Sequence, residues 1–182
     1  CKLVSLGWMD GFYYRPRIDH EILEKYSEGI IASSACLGGE IHKKVESGNL
    51  QAAEEAALWY KRVFGDDYYI ELQRHKTDKP NADYECFPKQ QRQNEELIKI
   101  ARKTGIKLVA TNDVHFVEED HGEAHERLIC LSTGKDLDDP SRMRYTKQEY
   151  LKTPEQMLEI FADVPEALES TVEIANKVEF YD

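Results

Sequence analysis

The sequence predicts an α/β fold in which parallel strands alternate with helices. Three observations carry that prediction. Short runs rich in apolar and β-branched residues recur at 29–33, 67–73 and 107–114. Longer stretches with apolar residues three or four apart separate and follow them. Capping residues and glycines mark the joints between the two kinds of segment. Strand, helix, strand in that order implies right-handed crossovers and a parallel sheet, open or closed into a barrel.

The elements follow in order. Residues 29–33 read as a buried strand opening into the small-residue loop Ser34-Ala35-Cys36-Leu37-Gly38-Gly39. Asn49 is a helix N-cap. The helix from Leu50 to about Phe64 carries Leu50, Ala53, Ala57 and Tyr60 on its apolar side, and Gly65 stops it. Residues 67–73 alternate: Tyr68, Ile70 and Leu72 point one way, Tyr69, Glu71 and Gln73 the other. Residues 76–87 are polar and form a loop. Pro88 suits the first turn of a helix that runs to about Thr104 and ends at Gly105. Residues 107–114 form the third strand. Residues 119–131 form a helix with Ala124, Leu128 and Leu131 on one side, followed by a loop over 134–145 rich in Asp and Arg. Thr153-Pro154-Glu155-Gln156 has the capping-box form, so a short helix carries Met157, Leu158 and Phe161. A last helix spans about Pro165 to Lys177.

A length of 182 residues suits a single domain, by the usual roughly 100–200 residues per domain. Lys plus Arg number 24 and Asp plus Glu 35, a net charge of −11. That balance, with no cluster of four Lys or Arg, excludes a stand-alone duplex binder that neutralises phosphates with a basic face. No apolar run approaches the roughly 18 residues of a membrane span, and no charged-then-apolar leader is present. No membrane association is therefore expected, and the location expected is cytoplasmic. None of the cysteines Cys1, Cys36, Cys86 and Cys130 has CxxC spacing, which argues against a zinc ribbon; free thiols are expected. The chain opens at Cys1 within an apolar-periodic stretch, and is expected to be a fragment of a longer polypeptide.

In parallel α/β folds reactive groups gather at the carboxyl ends of the strands. Cys36 and Glu40 follow the first strand, His75 the second, and Asp113 and His115 end the third. In an extended chain residues i and i+2 project to the same side, so Asp113 and His115 can serve one metal or two adjacent ones. Mixed Cys, His and Asp donors suit Zn²⁺, with Mn²⁺ or Fe²⁺ as carboxylates are added. Two or three such metals would suit phosphoester hydrolysis. The plainer alternatives stand beside this: Cys36 as a core thiol, His75 as a loop residue, Glu71 as a salt-bridge partner of Arg74 or Arg102. His121 and His125 are one helical turn apart on a Glu-rich helix and are expected at the surface, as are His20 and His42. The pairs Tyr13-Tyr14 and Tyr68-Tyr69 are expected to pack half-buried rather than to stack on bases. No Walker, GxSxG, HExxH or GxGxxG pattern is present.

Segments along the whole chain resemble the PHP (polymerase and histidinol phosphatase) domain of bacterial replicative DNA polymerase III alpha subunits. They are Lys2-Leu3-Val4-Ser5; Glu24-Lys25-Tyr26-Ser27-Glu28-Gly29 leading into 34–40; Tyr69-Ile70-Glu71-Leu72-Gln73-Arg74-His75; Val109-Ala110-Thr111-Asn112-Asp113-Val114-His115-Phe116; Glu123-Ala124-His125; and Phe161-Ala162-Asp163-Val164-Pro165-Glu166-Ala167 with Thr171-Val172-Glu173-Ile174-Ala175. The resemblance implies a partial (β/α)7-type barrel over residues 1–182, with the helices from about 154 leading toward a polymerase palm outside the chain. It implies a divalent metal site, Zn or Mn and up to three ions when intact, with Cys36, His75, Asp113 and His115 at ligand positions and Asp113 and His115 as the catalytic pair. Glu40 and Glu71 lie inside the motifs without an assigned ligand role. The family's first motif, a His-x-His pair, is not found in this sequence. The implied parent activity is DNA-directed DNA synthesis with Mg at a separate polymerase site, together with a metal-dependent 3′–5′ exonuclease or phosphoesterase function. The implied partners are DNA, through the parent chain, the proofreading exonuclease subunit and other replisome proteins. The alternatives are a non-catalytic scaffold that docks the exonuclease, and a stand-alone phosphoesterase acting on a small phosphate ester.

Overall fold

The structure, a computed structural model, describes residues 1–179. Helices α1 (Lys2–Met9) and α2 (His20–Lys25) precede strand β1 (Ala32–Ser33). Then follow α3 (Glu40–Glu46), α4 (Leu50–Phe64), β2 (Tyr68–Leu72), α5 (Cys86–Thr104), β3 (Lys107–Ala110), α6 (Gly122–Thr133), α7 (Pro154–Ile160) and α8 (Pro165–Lys177). The strands form one parallel sheet in the order β1-β2-β3, with Ala32 beside Tyr68 and Ile70 beside Leu108. The predicted α/β architecture is therefore present.

Local chemistry explains the helix ends. The Asn49 side chain accepts a hydrogen bond from the Ala52 amide at 3.1 Å, and Asp19 does the same for Ile22 at 2.9 Å. Thr153 and Gln156 close a reciprocal capping box at the start of α7. Gly105 ends α5 in the left-handed conformation, where a Cβ would be strained. Helix α5 starts two residues earlier than the Pro88 signal indicates, and Pro88 lies in its first turn. Helix α1 lies in the apolar-periodic stretch with which the chain opens, whereas α2 and α3 have no counterpart in the pattern reading, because they are too short to show a periodicity.

Two strands are shorter than the sequence suggests. Gly29 takes a left-handed turn, so β1 begins only at Ala32, and Ala35 at φ 61° turns the chain out of the sheet. Ser34 then continues the pairing with its side chain: its hydroxyl accepts from the Glu71 amide at 2.9 Å. Strand β3 stops at Ala110 rather than Val114. Beyond it the Asn112 side chain donates to the carbonyls of Gln148 and Tyr150, at 2.8 and 2.7 Å, and Asp113 adopts φ 44°. Residues 111–116 are thus paired with the 145–151 segment, through His115 N–H to Glu149 O at 2.8 Å and a parallel bridge between Phe116 and Tyr150.

The core joins Ile41, Ala53, Ala57, Ile70, Leu72, Leu97, Leu108, Phe161 and Ala167, so α3, α4, α5 and the α7–α8 corner all close on the sheet. Ile70, Leu72 and Leu97 have no exposed surface, each contributing roughly 1.5–3 kcal/mol by leaving water. The opposite side of β2 is not open at its start. Tyr69 is fully buried and donates its hydroxyl to Glu173 of α8 at 2.7 Å. Tyr68 is buried as well, whereas Tyr13 and Tyr14 are exposed and stack edge-on with each other, more exposed than half-buried packing would make them. The expected apolar side of α6 also faces outward: Leu128 and Leu131 are exposed, and Ala124 with them. Helix α6 is held instead by Glu126, which pairs with Arg142 and with Lys147 (3.1 Å), both buried. Among the described residues no helix is long and apolar enough to cross a membrane.

Candidate functional site at the strand carboxyl ends

The carboxyl ends of the strands open on a cavity of about 360 Å³. Its lining includes Cys36 from the loop after β1, His75 from the segment after β2, and Asp113 from the loop after β3. The convergence expected from the strand-end rule is therefore realised for these three. His115 is not among the lining residues. It is exposed, its Nδ1–H donates to the Asp113 carbonyl at 2.6 Å, and its ring packs on Tyr145 at 4.8 Å. Asp113 and His115 do not project together as in a strand, because the positive φ of Asp113 breaks the extended geometry.

The loop after β1 is shaped by close packing. A Cβ on Gly39 would come within 2.2 Å of the Ser34 carbonyl oxygen, so only glycine fits where the loop folds back beside Cys36. Two non-glycine residues in left-handed conformation, Ala35 and Asp113, flank this rim. Backbone held in such sparsely populated regions costs on the order of 1–3 kcal/mol and gathers at functional sites.

His75 is buried at 2% exposure and fully bonded. Gln90 of α5 clasps it twice: Oε1 accepts from the His75 amide at 2.8 Å, and Nε2 donates to the ring Nδ1 at 3.0 Å. The ring Nε2–H donates to the Asn112 carbonyl at 3.1 Å. Burial above all holds the imidazole below its usual pKa, against the attraction of Glu149, so the ring is neutral. Glu149 lies 3.8 Å from Nδ1 and is 2% exposed. Its carboxylate is satisfied by its own turn, accepting from Thr146 N and Oγ1 at 3.0 and 2.6 Å and from Gln148 N at 3.0 Å.

Glu71 does not pair with Arg74 or Arg102. Arg74 forms a two-pronged bond with Asp163, at 2.5 and 2.9 Å, and Arg102 lies 3.8 Å from Glu166. Glu71 is half-buried on β2. Burial, and then the charge of Asp113, push its carboxyl up, against the Thr111 and Ser33 hydroxyls beside it. It is thus a half-buried acid whose ionisation the charge of Asp113 opposes.

The histidines depart furthest from expectation. His42 is 3% exposed, not a surface residue: the seven-residue α3 tucks it under the Ser34–Gly39 loop between Ile41 and Val45. His125 is half-buried beside His115, Phe116 and Tyr145, with ring centroids 5.4, 5.2 and 4.9 Å away. His20 is exposed as expected, but it stacks on Trp59 at 3.9 Å and contacts Glu40 at 3.0 Å, an oxygen that Tyr60 also bonds. His121 is exposed. Gln90, Glu149 and Cys86 are site residues that sequence reasoning misses. Cys86 lines the same cavity, and burial pushes its thiol up to about 12.

Donor chemistry tests the fit of a metal. Among the described residues no three His, Cys, Asp or Glu side chains stand together so as to hold one. Both nitrogens of His75 are occupied by protein partners, and His115 is directed at its own loop. The rim in this arrangement does not fit a metal cluster.

A parallel α/β sheet with a polar rim at its strand carboxyl ends defines the class, and the comparisons agree with it. Residues 1–75 match the PHP domain family. The chain is 44% identical over 177 residues, 97% of its length, to the DNA polymerase III subunit alpha of Borreliella burgdorferi. It is 44% identical over 186 residues to that of Campylobacter jejuni and 39% over 178 residues to that of Thermus aquaticus, each match covering 96% of the chain. The chain spans about 15% of the length of these relatives. It belongs to the PHP domain family in the form carried by DNA polymerase III alpha subunits.

Proposed function

We propose that this chain is the PHP portion of a replicative DNA polymerase III alpha subunit and works there as a structural support for DNA synthesis. The observation that carries this reading is the clasp on His75. A buried neutral imidazole bonded at both nitrogens, beside a buried carboxylate satisfied by its own turn, is a finished polar core. Such a core ties β2, α5, the 111–116 segment and the 145–151 segment together. In this reading the partners are DNA, reached through the rest of the polymerase, and replisome proteins such as a proofreading exonuclease. The acidic balance of the chain suits protein contacts better than direct DNA contacts. The place of action is the cytoplasm, where bacterial DNA is copied.

A second reading, a metal-dependent 3′–5′ exonuclease or phosphoesterase using Zn or Mn, is favoured by one observation. Cys36 and Asp113 line one cavity with His75, and the charge of Asp113 is felt by Glu71 on β2. His75 would have to exchange partners to join such a site.

One experiment separates the readings. Metal content, exonuclease activity and polymerase activity are measured on the complete alpha subunit, as wild type and as an Asp113→Ala, His115→Ala double variant. Support predicts no bound Zn or Mn and no metal-dependent exonuclease in either protein. About two or three metals per wild-type chain, lost with exonuclease activity in the variant while polymerisation persists, would replace that reading with the second.

A further inference from the structure

A second cavity, of about 620 Å³, opens between α5, α7 and residues 148–152 and shares no lining residue with the rim cavity. Its size lies in the range of roughly 300–1,000 Å³ that holds small molecules. Phe87, Ile98 and Ile160 give it an apolar wall, and Lys76 and Lys152 supply cations. Arg74 also reaches it, but its guanidinium is neutralised by Asp163 and donates to the Ile160 carbonyl at 2.8 Å.

Lys152 is the unusual group. Its side chain is half-buried, its ammonium lies 3.7 Å from the Tyr150 ring centroid, and it donates to the Gln148 carbonyl at 2.5 Å. No carboxylate lies within ion-pair distance of it among the described residues. Burial outweighs the more distant Glu149 and Glu119 and pushes the amine down to about 8. Lys76 is exposed and has neither an ion pair nor a side-chain hydrogen bond among the described residues. The acids around the cavity are Glu95 and Glu159, both exposed, and Asp163, which Arg74 holds. A partly desolvated ammonium without a counter-charge is costly, and an anion that enters beside it recovers that cost.

We propose that this cavity binds a phosphate-bearing small molecule of mononucleotide size, its phosphate held by Lys152 and Lys76 and its ring against Phe87, Ile98 and Ile160. The site is independent of either reading of the strand-end rim. It assigns a ligand class to a surface that the support and exonuclease readings both leave unused.

Isothermal titration calorimetry of the full chain with adenosine monophosphate, adenosine and inorganic phosphate tests it at pH 7. The monophosphate is expected to bind more tightly than either of its parts. Lys152→Met should weaken it about tenfold or more, the value of a charged hydrogen bond of roughly 1.5–3 kcal/mol. Lys76→Met, at an exposed position, should weaken it as well. Affinity should fall as pH rises through about 8, where free Lys152 loses its proton. No binding of the monophosphate up to millimolar concentration, equal binding of adenosine, or undiminished affinity in both lysine variants would overturn the proposal.

Discussion

Lowering the pH from 7 to about 4 is expected to remove about 3 kcal/mol of stability through His42 alone. The ring is buried, and its Nδ1 has no hydrogen-bond partner. Burial therefore dominates, over the weaker pull of the Ser34 and Glu71 backbone, and holds the imidazole down at about 4 against an ordinary 6.5. The unfolded chain takes up the proton near 6.5 and the folded chain only near 4. Between those values the unfolded state binds more protons, so stability falls as pH falls through that window. Above 6.5 the contribution is whole, and below about 4 this group causes no further loss. The check is a series of urea midpoints from pH 8 to pH 3.5 on the wild type and on His42→Leu, which has nothing to titrate. Carboxylates titrate in both proteins, so the difference between the two curves isolates the imidazole. Parallel curves through the window would show that protonating His42 costs the fold nothing.

Gln90→Leu is expected to destabilise the chain by about 2–4 kcal/mol. The substitution keeps side-chain volume close to that of glutamine, so a cavity contributes little. What it removes is both bonds to His75, at 2.8 and 3.0 Å. The His75 amide and Nδ1 are then left buried without partners, at roughly 1–3 kcal/mol each. Gln93, one turn further along α5, bonds Glu46 rather than the site and serves as a control of the same chemistry. Gln93→Leu removes a single bond to an exposed carboxylate, together with a buried unpartnered oxygen, and should cost clearly less. Thermal unfolding of the three proteins provides the comparison. A Gln90→Leu chain as stable as wild type would mean that the clasp contributes nothing, and the support reading would lose the observation that carries it.

Both predictions concern residues whose roles are decided at a distance. Where the cause is local, the sequence is legible. Asn49 and Gly65 bound α4 as read, and Thr153 with Gln156 starts α7 as read, because a cap is formed within four residues. The alternation in 67–73 gives β2, and the order of strands and helices gives a parallel sheet, because crossover handedness leaves little choice. That Cys36, His75 and Asp113 reach one cavity also follows from strand order, since strand ends in a parallel sheet share a rim.

The sequence by itself therefore determined the fold class, the bounds of α4, α7 and α8, the family resemblance and the rim on which the polar groups collect. Tertiary structure alone decided the state of each group there. His75 is neutral because Gln90, from the next helix, meets it in the interior. Asp113 and His115 part company because the 145–151 segment, arriving from more than 30 residues later, takes the backbone pairing that a longer β3 would have had. His42 is buried because the Ser34–Gly39 loop closes over a helix too short to announce itself by periodicity. Burial and partner choice depend on which segments meet, and those meetings are long-range contacts that no local pattern encodes.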